Sequence, residues 1–317
     1  MKYLLTTFIA TCLAIFLLLK TRLVNIALDQ PNQRSLHSNV IPRTGGLAIM
    51  VSVLAVWALM AQAWIWLVLP LFLVVVSLID DMRELSVRWR LLAQLLACSI
   101  FVWFTVPDFA WWSMIFVVLA MTWMVNLYNF MDGSDGLAGG MALFGFGAYG
   151  VAAFLSNDMN FALMSGSIAS AALAFLLFNF HPARIFMGDA GSVPLGFLAG
   201  SIGLYGWQHD LWPVWFPVMV FSPFIVDATA TLLKRLLHGE KIWQAHRSHY
   251  YQMLVQMDWG HRKTALYEYG LMLAVGLSAL MLRNAGLAVQ TAGLLCWAGI
   301  FWGLMRTIDR EWSNSER

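Results

Sequence analysis

Asn126, Asn129, Asp132 and Asp135 lie in the stretch "NLYNFMDGSDGLAGG" (126–140), one polar side chain every three residues between two long apolar runs. Carboxylate and amide oxygens suit Mg2+, which keeps several waters and takes one or two protein ligands beside substrate phosphate. Residues three apart on a helix drift by about 60° per step, so all four cannot form one straight stripe. Asn129 and Asp132 share the last helical turn. Gly133 and Gly136 then bend the chain so that Asp135 points back at the same place.

Three further stretches carry similar chemistry. "SLIDDMREL" (77–85) sets Asp80 beside Asp81 at the end of an apolar run. Adjacent carboxylates repel unless a cation lies near, so the pair marks a cation- or phosphate-handling site, with a solvated helix cap as the bland alternative. "FNFHPARIFMGDAGSVPLG" (178–196) flanks Asp189 with Gly188 and Gly191 just before a helix. Such glycines allow close backbone approach, and a helix N-terminus favours an anion such as phosphate; a plain N-cap aspartate is the alternative. "LLHGEKIWQAHRSHYYQML" (236–254) offers His246, Arg247 and His249. A zinc pair lacks a third ligand nearby. What remains is ordinary loop histidines, or contacts to phosphate and sugar with Arg247 as a charged clamp. Asp227 lies inside an apolar run, where it pairs with a basic group or supports the site.

The elements that position these residues follow from composition. Apolar residues make up 60% of the 317, and charged residues only 11%. Apolar stretches approaching 20 residues recur along the whole chain, which predicts an all-α polytopic membrane protein in one domain, 1–317. The eleven spans fall near 3–20, 45–63, 65–79, 91–106, 110–127, 137–155, 160–178, 191–207, 212–233, 264–282 and 286–305. With the N-terminus outside, almost every Lys and Arg falls in inside loops or the C-terminal tail; only Lys2 and Arg283 fall outside. That orientation puts loops 80–90, 126–136, 179–191 and 234–263 on one cytoplasmic face. "RSLHSNVIPRTGG" (34–46) joins them with Arg34, His37 and Arg43.

The remaining features are read as structural. The first span has no small-residue cleavage site and is expected to stay as an anchor. Cys12, Cys98 and Cys296 have no metal spacing and read as inert. Asp29, Glu84, Glu240, Asp258, Asp309, Glu311 and Glu316 fall in loops or the tail, where charge needs no function. "GFGAYG" (145–150) lies within a span with no strand before it, so its glycines pack helices rather than bind a dinucleotide. The net charge of +2 follows topology and gives no nucleic-acid partner.

Five motifs in order, "PRTGG", "DDMRELSVRWRLLAQ", "NLYNFMDGSDGLAGG", "FNFHPARIFMGDAGS" and "AHRSHYYQ", resemble the polyprenyl-phosphate N-acetylhexosamine-1-phosphate transferases, over residues 34 to about 254. The resemblance implies ten or eleven transmembrane helices in a bacterial inner membrane, with a cytoplasmic active site. It implies transfer of a sugar-1-phosphate from a UDP-amino sugar to undecaprenyl phosphate, release of UMP, and a need for Mg2+, with Mn2+ as a substitute. By matching positions, Asp189 resembles the metal aspartate, Asn129 a metal-coordinating amide, and Asp80 and Asp81 the adjacent catalytic pair. Asp132 and Asp135, with Asn179 and Phe186, resemble the nucleotide pocket, Phe186 stacking on uracil. His246, Arg247 and His249 resemble the region touching diphosphate and sugar, and a homodimer is compatible with this pattern.

Two departures bear on the substrate. Arg90 stands where the family often has Lys; it keeps the charge and grips phosphate bidentately. "HRSHYY" replaces the three clustered histidines of the peptidoglycan branch, which points to an amino-sugar donor and the initiating step of O-antigen or other cell-surface polysaccharide synthesis. FucNAc or QuiNAc fits this motif better than GlcNAc. Two other classes compete: an aromatic-type polyprenyl transferase, which needs a second spaced Asp-rich motif, and an ion-coupled transporter, which needs a repeated topology and acids near the midplane. Dependence on a UDP-sugar separates both from the transferase.

Overall fold

The computed structural model describes residues 1–21, 27–29, 40–83, 85–241 and 246–315. Thirteen α-helices lie among them: α1 (Lys2–Lys20), α2 (Gly45–Leu59), α3 (Trp64–Arg83), α4 (Val87–Thr105), α5 (Trp111–Phe130), α6 (Leu137–Leu155), α7 (Met159–Asn179), α8 (Asp189–Gln208), α9 (Trp215–Val220), α10 (Ser222–Leu237), α11 (Tyr250–Leu254), α12 (Gly260–Leu282) and α13 (Leu287–Ser315). The segment Val255–Trp259 joins α11 to α12 through a kink at Met257 and Asp258. Two residues of β1 (Leu28–Asp29) pair antiparallel with β2 (Ile41–Pro42). Arg34, His37, Glu84 and Glu316 fall outside the described residues.

Eight helical stretches among the described residues are long and apolar enough to cross a membrane, and α2 is a shorter apolar helix. The chain is an all-α polytopic membrane protein. A helix occupies each of the eleven expected spans, with three differences. The ninth is broken between α9 and α10, because Pro223 starts the new helix and has no N–H to continue the old one. The turn between α3 and α4 is tighter than expected, which places Asp80 and Asp81 in the last turn of α3 and Arg90 in the first turn of α4. The α13 helix runs to Ser315 and makes Asp309 part of a helix rather than a solvated tail.

Burial is graded across the bundle. All but five of the 20 residues of α8 are buried, and α2, α3, α5 and α6 surround it. In α13 only Phe301 is buried. Large apolar side chains such as Trp103, Phe116 and Leu287 are exposed at the periphery, as lipid contact requires. Several interior polar groups find partners, though the Thr44, Ser165, Ser222 and Thr264 hydroxyls have none among the described residues. Trp57 Nε1 donates to Ser167 Oγ at 2.8 Å, Tyr149 Oη donates to the Ala199 carbonyl at 3.0 Å, and Arg283 Nη1 donates to the Ala152 carbonyl at 2.6 Å. Gly145 of the "GFGAYG" run packs against Phe221, in keeping with a packing role, and the three cysteines are free.

The site end of the core depends on backbone contact between α2 and α8. A β-carbon on Gly46 would collide with the Cα of Gly191, and one on Gly191 would lie against Gly46 and Met187. The Gly45 and Gly46 N–H groups donate to the Phe186 and Met187 carbonyls at 2.9 Å each, so neither helix can back away. Gly191→Val is expected to destabilise the protein by about 3 kcal/mol, the upper range for overpacking. A thermal midpoint in detergent unchanged from wild type would show that the helices separate freely.

Candidate active site

The last turns of α3 and α5, the first turns of α4 and α8, and the segment before α2 converge at one end of the bundle. Asp80 and Asp81 come from α3, Arg90 from α4, Asn129 from α5, Asp132 from the turn beyond it, Asp189 from the start of α8, and Arg43 from the α2 approach. Gly188 is needed here. Its φ of 71° suits glycine, and a β-carbon on it would strike the Arg43 carbonyl.

Arg43 reaches Asp81 at 4.0 Å and Asp189 at 3.9 Å; Arg90 reaches Asp80 at 3.1 Å and Asp189 at 3.7 Å. Only the Arg90–Asp80 contact is a hydrogen bond; the others are looser ion pairs. The two adjacent aspartates differ in how they are held. Asp80 accepts from the Leu85 N–H at 2.7 Å as well as from Arg90, so both its oxygens are engaged. Among the described residues, Asp81 accepts only a long bond, 3.4 Å, from the Ala190 N–H.

Asn129 is fixed at both ends of its amide. Its side chain donates to Asp189 and accepts from Ser192 Oγ at 2.5 Å. Asp132 accepts from the Gly188 N–H and lies within the field of Arg43, Asp189 and Asp81. Loss of hydration raises its pKa well above the usual carboxylate range; Asp189 and Asp81 push the same way, while Arg43 and the Gly188 N–H oppose. Among the described residues, four carboxylates thus share two guanidiniums, and two negative charges stay uncompensated when all are ionised. No group of three or more Asp, Glu, His or Cys side chains among the described residues encloses a metal. The donor set instead fits a divalent cation held by one or two protein oxygens, with phosphate oxygens and water completing its shell.

Other sequence-predicted residues stand around this cluster. Asn126 turns away, donating to Gln94 Oε1 at 2.7 Å and tying α5 to α4. Gly136 does bend the chain, with φ of 77°, but the Asp135 carboxylate faces His181 Nδ1 at 2.6 Å and the Ala183 N–H at 3.1 Å. Asn179 accepts from the Gly136 N–H and donates to the Ile185 carbonyl, both at 2.9 Å, so it pins the two loops together. Phe186 is half-buried, and its backbone pairs with Pro42 and Gly45. The 246–251 segment meets the end of α5. His249 stacks on Phe130 with ring centroids 6.4 Å apart, and Tyr251 Oη donates to the Phe130 carbonyl at 3.2 Å. His246 packs beside His249 at 4.8 Å, and Arg247 is exposed.

Several residues here escape sequence reasoning. Ser192 lies on the same face of α8 as Asp189, three residues on, and that spacing could have found it. His181 and His261 stack at 5.5 Å with planes 13° apart, and His261 Nδ1 lies 2.8 Å from Ser134 Oγ; no local spacing links them. Glu268 is buried in α12 within reach of the Asp227 charge. Lys234 pairs with Asp309 at 2.6 Å, not with Asp227.

Residues 63–206 match the glycosyl transferase family 4 profile. The chain is 29% identical over 286 residues to a probable undecaprenyl-phosphate N-acetylglucosaminyl 1-phosphate transferase of Bacillus subtilis (strain 168), covering 82% of this chain and 78% of that protein. It is 28% identical over 260 residues to the undecaprenyl-phosphate alpha-N-acetylglucosaminyl 1-phosphate transferase of Yersinia pestis, covering 74% and 71%. It is 28% identical over 308 residues to the phospho-N-acetylmuramoyl-pentapeptide-transferase of Chlorobium phaeobacteroides (strain BS1), covering 80% and 82%. The family profile falls on the helices that build the carboxylate cluster, and the similar proteins extend along most of the chain; both likenesses point to the same superfamily of polyprenyl-phosphate sugar-1-phosphate transferases that its five motifs resemble.

Proposed function

We propose that this protein transfers an N-acetylated amino-sugar 1-phosphate from a UDP-sugar to undecaprenyl phosphate, releasing UMP, as the initiating step of O-antigen or another cell-surface polysaccharide. The observation that carries this reading is the cluster of four carboxylates with two guanidiniums where five helix-end segments meet. With all four acids ionised, such a site is two positive charges short of neutrality, which suits a pair of anionic substrates brought in with a divalent cation that would hold those acids in their charged form. The bias of basic residues toward one set of loops supports a position at the cytoplasmic face of the inner membrane.

Both reactants are anions, and their mutual repulsion is the first barrier. Arg43 and Arg90 flank Asp189 and are placed to take phosphate oxygens when substrate displaces their loose contacts with the acids. Asp189, with the oxygen of Asn129, is the pair that would hold Mg2+. Bound there, the ion would polarise the diphosphate and screen the incoming lipid phosphate. A lipid-phosphate oxygen then forms the new bond to the β-phosphorus, the bond to the bridging oxygen breaks, and UMP leaves. Asp80, with both oxygens engaged, serves as a fixed wall. Asp81 is the less committed of the pair, and takes the proton of the lipid phosphate when it carries one. A phosphate monoester is mostly dianionic at neutral pH, its second pKa being about 6, so positioning outweighs the base role.

The test is UMP release by purified protein with undecaprenyl phosphate and Mg2+, across UDP-GlcNAc, UDP-FucNAc and UDP-QuiNAc. Release with one amino sugar, abolished by EDTA and by omitting the lipid, is the expected outcome, with FucNAc or QuiNAc preferred. Folded protein that releases no UMP with any of them would remove this reading.

A further inference from the structure

Arg90, Gln94 and Cys98 recur every four residues on α4, so they share one face of that helix. Thr122 and Asn126 do the same on α5, with Asn129 one turn nearer the site. The two faces meet as a polar ladder. Asn126 Nδ2 donates to Gln94 Oε1 at 2.7 Å and to the Thr122 carbonyl at 2.8 Å. One turn further from the carboxylate cluster, the Cys98 thiol meets the Thr122 hydroxyl. Gln94, Cys98 and Thr122 are buried, and Asn126 is half-buried. Arg90 continues the same face of α4, but it meets Asp80 of α3 and Asp189 of α8.

Amides inside an apolar span are costly unless they pair, so the two helices gain by staying together where the ladder stands. The chain itself joins α4 to α5 only at their far ends, through the short turn 106–110. Arg90 stands about 22 Å from that turn, at a rise of about 1.5 Å per residue, so the turn does little to fix it. Its ion pairs with Asp80 and Asp189 are the contacts that substrate displaces in the proposed reaction. The ladder does not depend on them. We infer that Gln94 and Asn126 are positioning residues: their bridge closes the open end of the α4–α5 hairpin and holds Arg90 at the carboxylate cluster while its ion pairs are exchanged for phosphate. This deepens the proposed function and rests on it for the phosphate, but the closure of the hairpin is a property of the protein alone.

The test uses full-length protein in detergent and two variants: Gln94→Met, which keeps the length of the side chain without its amide, and Asn126→Leu. Hydrogen exchange read by mass spectrometry without substrate is expected to quicken at the open end, residues 87–94 and 123–130, in both variants. It is expected to stay at the wild-type rate in the far halves, 99–105 and 111–118. Unchanged exchange at the open end overturns the inference, whatever reaction the protein catalyses. Faster exchange along the whole of both helices overturns it too, because the bridge would then be a general packing contact. Gln94→Met is expected to slow UMP release by about 10- to 100-fold, the scale of loss when a group is misplaced by about 1 Å. In an Arg90→Ala background the same change is expected to cost nothing further, because the bridge acts through Arg90. Losses that multiply in that double variant would show that Gln94 does not act by positioning Arg90.

Discussion

Replacing Asp189 by asparagine is expected to lower turnover by at least about 10³-fold while the protein stays folded. The side chain is nearly isosteric, and its neighbours define what is lost. Both arginines approach Asp189, Arg43 at 3.9 Å and Arg90 at 3.7 Å, and the Asn129 amide donates to it. The neutral amide keeps the volume but removes the charge that would bind a cation. Asp80 and Asp81 also repel Asp189, so losing that charge relieves repulsion. The thermal midpoint without substrate should accordingly hold or rise. UMP release within tenfold of wild type would take Asp189 out of the centre, and a collapsed midpoint would show that its charge is structural.

Replacing Arg43 by alanine has an effect of opposite sign on cation demand. Arg43 faces Asp81 and Asp189 and opposes the raised pKa of Asp132, so its loss leaves the four carboxylates with Arg90 alone among the described residues. Turnover is expected to fall by about 10²–10³-fold, as one charge that would face the phosphates is gone. The half-saturating Mg2+ concentration is expected to fall as well, because the more negative site binds a cation more tightly. Arg43→Lys should recover part of the turnover, since it keeps the charge but not the planar fork. A rise in the Mg2+ requirement would mean that Arg43 builds the cation site rather than competing with it.

Much of this arrangement was legible in the sequence, for identifiable reasons. Apolar runs near membrane thickness fixed where helices lie, and acids at the ends of such runs stood out because charge there is expensive. Asp80, Asp81, Asn129, Asp132 and Asp189 do converge, and each lies at a helix end that its own stretch announced. What stayed hidden was pairing across long separations. Asp135 and His181 are 46 residues apart, and Lys234 and Asp309 are 75 apart. No periodicity reports such contacts; they exist only once helices are packed. The break at Phe221 was missed because the apolar pattern runs through it, and only Pro223 marks it.

The burial of α8 bears on how the protein is made. This helix carries Asp189 and Ser192, yet it is not among those apolar enough to cross a membrane by composition. Gly191, Gly196 and Ser192 suit it to close contact with α2 and α5, not to lipid. Those partner helices emerge earlier from the ribosome. Insertion of α8, the eighth of the thirteen described helices, without them would leave its small and polar faces against lipid, so assembly is cooperative in order: the early helices act as an intramolecular chaperone for the segment that completes the site. A truncation ending after α7 should therefore insert stably, whereas α8 carried alone behind a neutral passenger should slip out of the bilayer.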